Sequence, residues 1–137
     1  MILVDANVWR EAAHQKGDAR VRSWLKEHDP RLRLSSIVLA EMRYGVEKME
    51  DGKRRNALIQ WCENLEMAFA DRLLSFDCAN SRSYGRIANQ MRLLGLNIGQ
   101  SDCMIAAQAL DNGMTIATRN VQDFARTGVA LLNPWDT

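Results

Sequence analysis

The chain opens Met1-Ile2-Leu3-Val4-Asp5, and no other stretch restricts the possible folds as much. Ile2, Leu3 and Val4 form an apolar run with no polar alternation. Successive side chains point to opposite faces of a strand, so such a run needs cover on both faces, as inside a parallel sheet. The run stops on a carboxylate. In open sheets of this kind ligands gather at the carboxyl ends of strands, which puts Asp5 where chemistry is placed. The plainer alternative is a turn Asp capping the segment that follows.

Local signals along the rest of the chain alternate between helix and strand. Asn7 is placed to cap a short helix to about residue 13, and Gly17-Asp18 opens a second with Val21, Trp24, Leu25 and His28 on one face, ended by Pro30. A brief strand over 31–34 precedes a helix to about residue 49, capped by Ser35 or Ser36. A longer helix over 53–70 carries Leu58, Trp61, Cys62 and Leu65 at helical spacing. Then come a strand at 73–76, a helix capped by Asp77 that runs to Leu94 and stops on Gly95, and a loop over 95–100. Ser101 is expected to cap the next helix, with Ile105, Ala106, Ala109 and Leu110 as its buried stripe and Gly113 closing it. Strands at 114–118 and 129–132 complete the pattern. The alternation predicts an α/β fold: a central, mostly parallel sheet with helices on both faces. With 137 residues, 47% of them hydrophobic, the chain suits one domain spanning 1–137.

Eighteen basic residues against 17 acidic ones leave a net charge of +1, so no overall field draws the protein to nucleic acid or anionic lipid, and any such partner must be met locally. Cys62, Cys78 and Cys103 are odd in number, lack a C-x-x-C spacing and sit in apolar helical patterns, which reads as reduced core or near-core thiols. No apolar run approaches the ~20 residues of a membrane span, and the N-terminus lacks the charged start of a signal peptide. A cytoplasmic protein with no membrane partner is expected.

The acids carry the chemistry. Glu41 follows Ile37 by four residues and Val38 by three, and precedes Tyr44 by three, so it shares a helix face with apolar neighbours and is directed inward. A buried carboxylate normally has a cation, a cluster of donors or a metal to meet; the alternative is a rim position or a salt bridge to an Arg. Asp102 lies in the first turn of its helix, where the dipole favours acids. That helix runs directly into a strand, so its start points back toward the sheet edge where Asp5 lies. At the end of the same strand come Thr118-Arg119-Asn120 and then Asp123-Phe124. Converging carboxylates raise one another's pKa and destabilise the fold unless a cation neutralises them. An all-carboxylate set selects Mg²⁺ or Mn²⁺, and neither His14 nor His28 has the spacing of a zinc site. Such an ion can activate water and screen a phosphodiester, so hydrolysis of nucleic acid follows.

Four segments in order extend this reading: Ile2-Leu3-Val4-Asp5-Ala6-Asn7-Val8; Ser35-Ser36-Ile37-Val38-Leu39-Ala40-Glu41-Met42-Arg43-Tyr44-Gly45; Asp102-Cys103-Met104-Ile105-Ala106-Ala107; and Thr118-Arg119-Asn120 with Asp123-Phe124. Together they resemble the PIN-domain family, and within it the VapC or FitB type of toxin, over nearly the whole chain down to Asn133-Pro134-Trp135. The resemblance implies a magnesium-dependent ribonuclease fold, an RNA substrate, a homodimer, and a cognate antitoxin with which it forms higher-order complexes. It implies that Asp5, Glu41 and Asp102 are the acidic cluster, Asp5 and Asp102 being the metal ligands. Asp123 is expected to complete the catalytic set, and Asn7, Thr118 and Asn120 to position the substrate. Position 6 is Ala where the family usually has Thr, and position 120 is Asn where many members carry a fourth Asp.

Rival readings are poorer fits. A receiver-type signalling domain needs paired acids after the first strand and a Lys after a late one, and a haloacid-dehalogenase-type phosphatase needs Asp where Asn7 stands. Phosphate-cradling glycine loops are absent. A PIN fold kept only as a binding module rests on Ala6 and Asn120. Lys53-Arg54-Arg55 is either a solvated helix start or a contact for an RNA backbone. Trp9, Trp24, Trp61 and the seven methionines are expected in the core, with some able to line a groove for an antitoxin helix.

Overall fold

A computed structural model describes residues 1–137, and its sheet is built outward from the opening triplet. Strand β1 (Ile2–Val4) is central, flanked by β2 (Leu32–Ser35) and β4 (Thr115–Ala117), with β3 (Leu73–Leu74) outside β2 and β5 (Leu131–Leu132) outside β4. Every pairing is parallel. Ile2, Leu3 and Val4 are all buried, so both faces of the centre are covered, as the uninterrupted apolar run requires.

Parallel neighbours cannot be joined by tight turns, and helices fill each crossover. Helices α1 (Ala6–Ala13) and α2 (Ala19–His28) join β1 to β2; α3 (Ser36–Glu47) and α4 (Lys53–Ala68) join β2 to β3; α5 (Cys78–Leu93) and α6 (Gln100–Asp111) lead to β4; and α7 (Val121–Phe124) leads to β5. The chain steps outward from β1 through β2 to β3, then crosses back to β4 on the other side of β1. The winding reverses there, and the carboxyl ends of β1 and β4 flank the crevice that open α/β sheets use for ligands. Asp5 and Thr118 are the first residues past those two strands.

Several local expectations need correction. Asp5, not Asn7, caps α1: its backbone is extended (φ −74°, ψ 158°), and its carboxylate accepts from the Ala6 N–H at 2.8 Å. Ser101 lies inside α6, which starts at Gln100 after Gly99 with no side-chain cap. Leu110 is 41% exposed, while Cys103, Ala107 and Gln108 join Ile105, Ala106 and Ala109 in burial. The small side chains of α6 let it pack closely against α5 and α3, so it is covered round most of its circumference and excludes only its outer end. Strands β3 and β5 are two residues each, shorter than the apolar stretches around them, and Cys78 is exposed at the start of α5 whereas Cys62 and Cys103 are buried. Of the methionines, Met42 and Met91 are in the core but Met67 is 75% exposed; Trp61 is half-buried.

Other punctuation is as the sequence reads. Asp77 and Asn80 form a reciprocal capping box at α5. Gly113, at φ 62°, closes α6: its N–H bonds the Leu110 carbonyl and the Met114 N–H bonds the Ala109 carbonyl at 2.8 Å, a reversal that only glycine adopts readily and that turns the chain into β4. No helix is long and apolar enough to cross a membrane.

Candidate active site

Asp5 is the fixed point of the crevice. It is 4% exposed, and its carboxylate accepts from the Ala6 N–H at 2.8 Å, the Thr118 hydroxyl at 2.8 Å and the Asn7 amide at 3.2 Å. The same Asn7 amide also reaches Thr118 Oγ1 at 3.2 Å, while Asn7 Oδ1 accepts from the Arg119 N–H at 3.2 Å and Thr118 Oγ1 from the Asn120 N–H at 3.0 Å. The segments after β1 and β4 are thus laced together around one carboxylate. Burial raises the Asp5 pKa, and the hydrogen bonds from Thr118 and Ala6 work against that rise.

Glu41 and Asp102 feel the charge of Asp5, and Asp123 acts on Asp102. Glu41 is carried inward by α3, where Val38, Leu39, Met42 and Val46 are buried on either side of it in sequence. Its Oε1 is buried and has no hydrogen-bond partner. Burial first, then the charges of Asp5 and Asp102, push its pKa from 4.5 up to about 7. Asp102, in the first turn of α6, is pushed from 3.8 up to about 6 by burial and by the charges of Asp5 and Asp123. Asp123 is exposed in the first turn of α7, while Asn120 precedes that helix with its side chain exposed and making no hydrogen bond. Thr118 is fully buried, so its hydroxyl serves Asp5 rather than the open crevice, and Asn7 likewise bonds the carboxylate and the β4 turn.

Arg10 was not singled out in the sequence, yet its guanidinium lowers the pKa of both Asp5 and Glu41. Its place five residues after Asp5, in the last turn of α1, is the only local hint of it.

The donors fit a hard divalent cation. They are all oxygens, with His28 stacked on Trp24 and His14 exposed elsewhere. An unpaired buried carboxylate oxygen is costly to maintain, and a cation beside Glu41 Oε1 would relieve it. As the side chains stand, no three acid, His or Cys groups close into a ligand set, so the carboxylates are electrostatic neighbours rather than an assembled cage.

Thr118→Val tests the scaffold. Removing one charge-assisted bond to a buried carboxylate while keeping side-chain volume should cost about 2 kcal/mol at pH 8. Without that bond the Asp5 pKa rises further, so the loss should shrink as pH falls and Asp5 is protonated. Thermal melts over a pH series falling from 8 through the acid range check this; a loss that stays constant across the series would assign the hydroxyl to the Asn120 turn instead.

Comparisons with known proteins agree on the family and the fold. The PIN domain family pattern matches residues 2–130. VapC ribonuclease Y4jK of Sinorhizobium fredii is 37% identical, with 99% of each chain covered. Toxin FitB of Neisseria gonorrhoeae is 36% identical over 98% of this chain and 99% of its own. The solved structure of FitAB bound to an IR36 DNA fragment superposes with a TM-score of 0.89 at 37% identity, covering 98% of this chain and 96% of that one.

Proposed function

We propose a function from one premise, that this chain belongs to the PIN-domain family: it is a metal-dependent endoribonuclease, the toxin of a toxin–antitoxin pair. The observation that carries the reading is Glu41 Oε1, buried without a partner beside two other carboxylates. Asp5 and Asp102 would hold Mg²⁺ or Mn²⁺ with Glu41 alongside. When bound, the ion supplies Lewis acidity toward the phosphodiester and a water of lowered pKa.

The chain's own groups supply orientation and proton transfer. Ala6, Thr118 and Asn7 lock the Asp5 carboxylate in one rotamer, so it is preorganised before any ligand arrives. Glu41 Oε1, which has no other partner, can accept a proton from attacking water, and a cation held beside it would favour the charged form that this requires. Asp123 contributes a fourth charge from the rim, and the free amide of Asn120 positions substrate. The protein acts in the cytoplasm as a homodimer that an antitoxin inhibits by placing a cationic side chain among the acids.

Purified protein should cleave RNA with Mg²⁺ or Mn²⁺ and stop on chelation; chelator-insensitive cleavage would sink the mechanism. In a metal titration of the same assay, Asp123→Asn should weaken the metal dependence more than Asn120→Ala, because Asn120 brings no charge. The opposite order would return Asp123 to a purely local role in α7.

A further inference from the structure

A groove lies between α1, α3 and α4, and its charge is one-sided. Its inner part is a cavity of about 190 Å³ floored by Met42, Val46, Leu58 and Trp61, with Arg10 and Arg54 on its walls. It continues outward past His14, Lys16 and Lys53, sharing Ala13, His14, Arg54 and Leu58 with the inner part. No Asp or Glu lines either part. In a chain with 18 basic and 17 acidic residues such a segregation is not a consequence of composition.

The cations are also free. Arg10, Lys16, Lys53 and Arg54 are exposed and take part in none of the ion pairs, whereas the adjacent Arg55 is neutralised by Glu47 at 2.7 Å and Asp51 at 3.6 Å. Lys53 and Arg54 occupy the first turn of α4, where the helix dipole disfavours positive charge, so local stability does not account for them. Arg10 connects the groove to the crevice, since its charge acts on Asp5 and Glu41.

We propose that this groove is the track for a single-stranded stretch of substrate RNA flanking the scissile phosphate. Arg10, Lys53 and Arg54 contact successive phosphates, and the apolar recess at Leu58 and Trp61 receives an unstacked base. The inference rests on the ribonuclease reading for its substrate class. A single strand combines the two features the groove offers, a line of anionic charge and apolar base faces. Charge complementarity between a phosphate chain and a rim of unpaired cations is what favours RNA as the occupant.

The test is equilibrium binding of a labelled single-stranded RNA oligonucleotide in chelating buffer, where cleavage does not intervene. The double variant Lys53→Gln/Arg54→Gln should bind roughly tenfold more weakly near 0.1 M salt, and the slope of log K against log salt should fall by about 1.4, some 0.7 per lost phosphate contact. Arg92→Gln, which removes a cation of α5 outside the groove, should bind as wild type. With Mg²⁺ or Mn²⁺ present, the loss in the double variant should appear mainly in KM. Wild-type affinity and slope in the double variant would overturn the track even if RNA is cleaved. So would lost affinity for an antitoxin tail with RNA binding intact, which would assign the groove to protein. If the wild type cleaves no RNA yet binds it through Lys53 and Arg54, the ribonuclease reading fails and the track stands.

Discussion

Glu41→Gln is expected to lower metal-dependent RNA cleavage by about 10²–10⁴-fold and at the same time to make the metal-free protein more stable at pH 8. The two effects have one origin. Glu41 ionises near 7 in the folded chain against 4.5 ordinarily, and Asp102 near 6 against 3.8. A carboxyl whose folded pKa is raised leaves stability intact below its ordinary value and withdraws it as pH rises through the folded value. The metal-free wild type should therefore lose stability between about pH 4 and pH 7. For half-buried Glu41 the contribution is ~1–2 kcal/mol once solvent screening is allowed for. Glutamine has no charge to desolvate, so the variant's melting temperature should fall less across that window. Adding Mg²⁺ or Mn²⁺ should reverse the order, since the wild type gains a ligand for its charges and the variant gains less. Melts at pH 5 and pH 8, with and without the ion, check all four points. A variant melting below wild type at pH 8 in chelator would make Glu41 a structural partner rather than one of a repelling set.

Gln108→Ala should produce the largest loss of stability of any polar substitution in the chain, about 3 kcal/mol, lowering the melting temperature by roughly 10 °C in a domain of this size. Gln108 is fully buried in α6 and links three elements: its carbonyl oxygen accepts from the Ser35 hydroxyl at the end of β2, and its amide donates to the Leu74 carbonyl of β3 at 3.3 Å. Ser35 Oγ in turn accepts from the Ile37 N–H, capping the helix that carries Glu41. Truncation removes buried volume and leaves two polar groups without partners. Asp102 lies on the same helix two turns earlier, so cleavage should fall with stability even though Gln108 lies outside the crevice. A melting temperature within about 2 °C of wild type would show that the link contributes nothing.

Much of the crevice is legible in sequence because its members sit on elements with strong local signals. The inward direction of Glu41 follows from the apolar spacing of α3, and the start of α6 beside the sheet edge follows from the short turn at Gly113 into β4. Arg10 carries no such signal. Its relation to Asp5 and Glu41 exists only once α1 and α3 are packed together. Leu110 misleads for the converse reason: helical spacing says which residues share a face but not how far along the helix its neighbours extend.

What the sequence by itself determined is what depends on neighbours a few residues apart: the doubly covered β1 triplet, the cap at Asp77, the glycine reversal at Gly113, and the carboxylate that ends the first strand. Periodicity, caps and turns are set by steric and hydrogen-bonding terms that act within one or two turns of chain. The tertiary structure alone decided the rest. The bond from Thr118 to Asp5 spans 113 residues, and it exists because β1 and β4 are paired in one parallel register. The groove between α1 and α4 likewise joins Arg10 to Arg54 only through packing. Which strands become neighbours, and in what register, is settled by the burial of all the elements together, a sum over the whole core that no short window of residues contains.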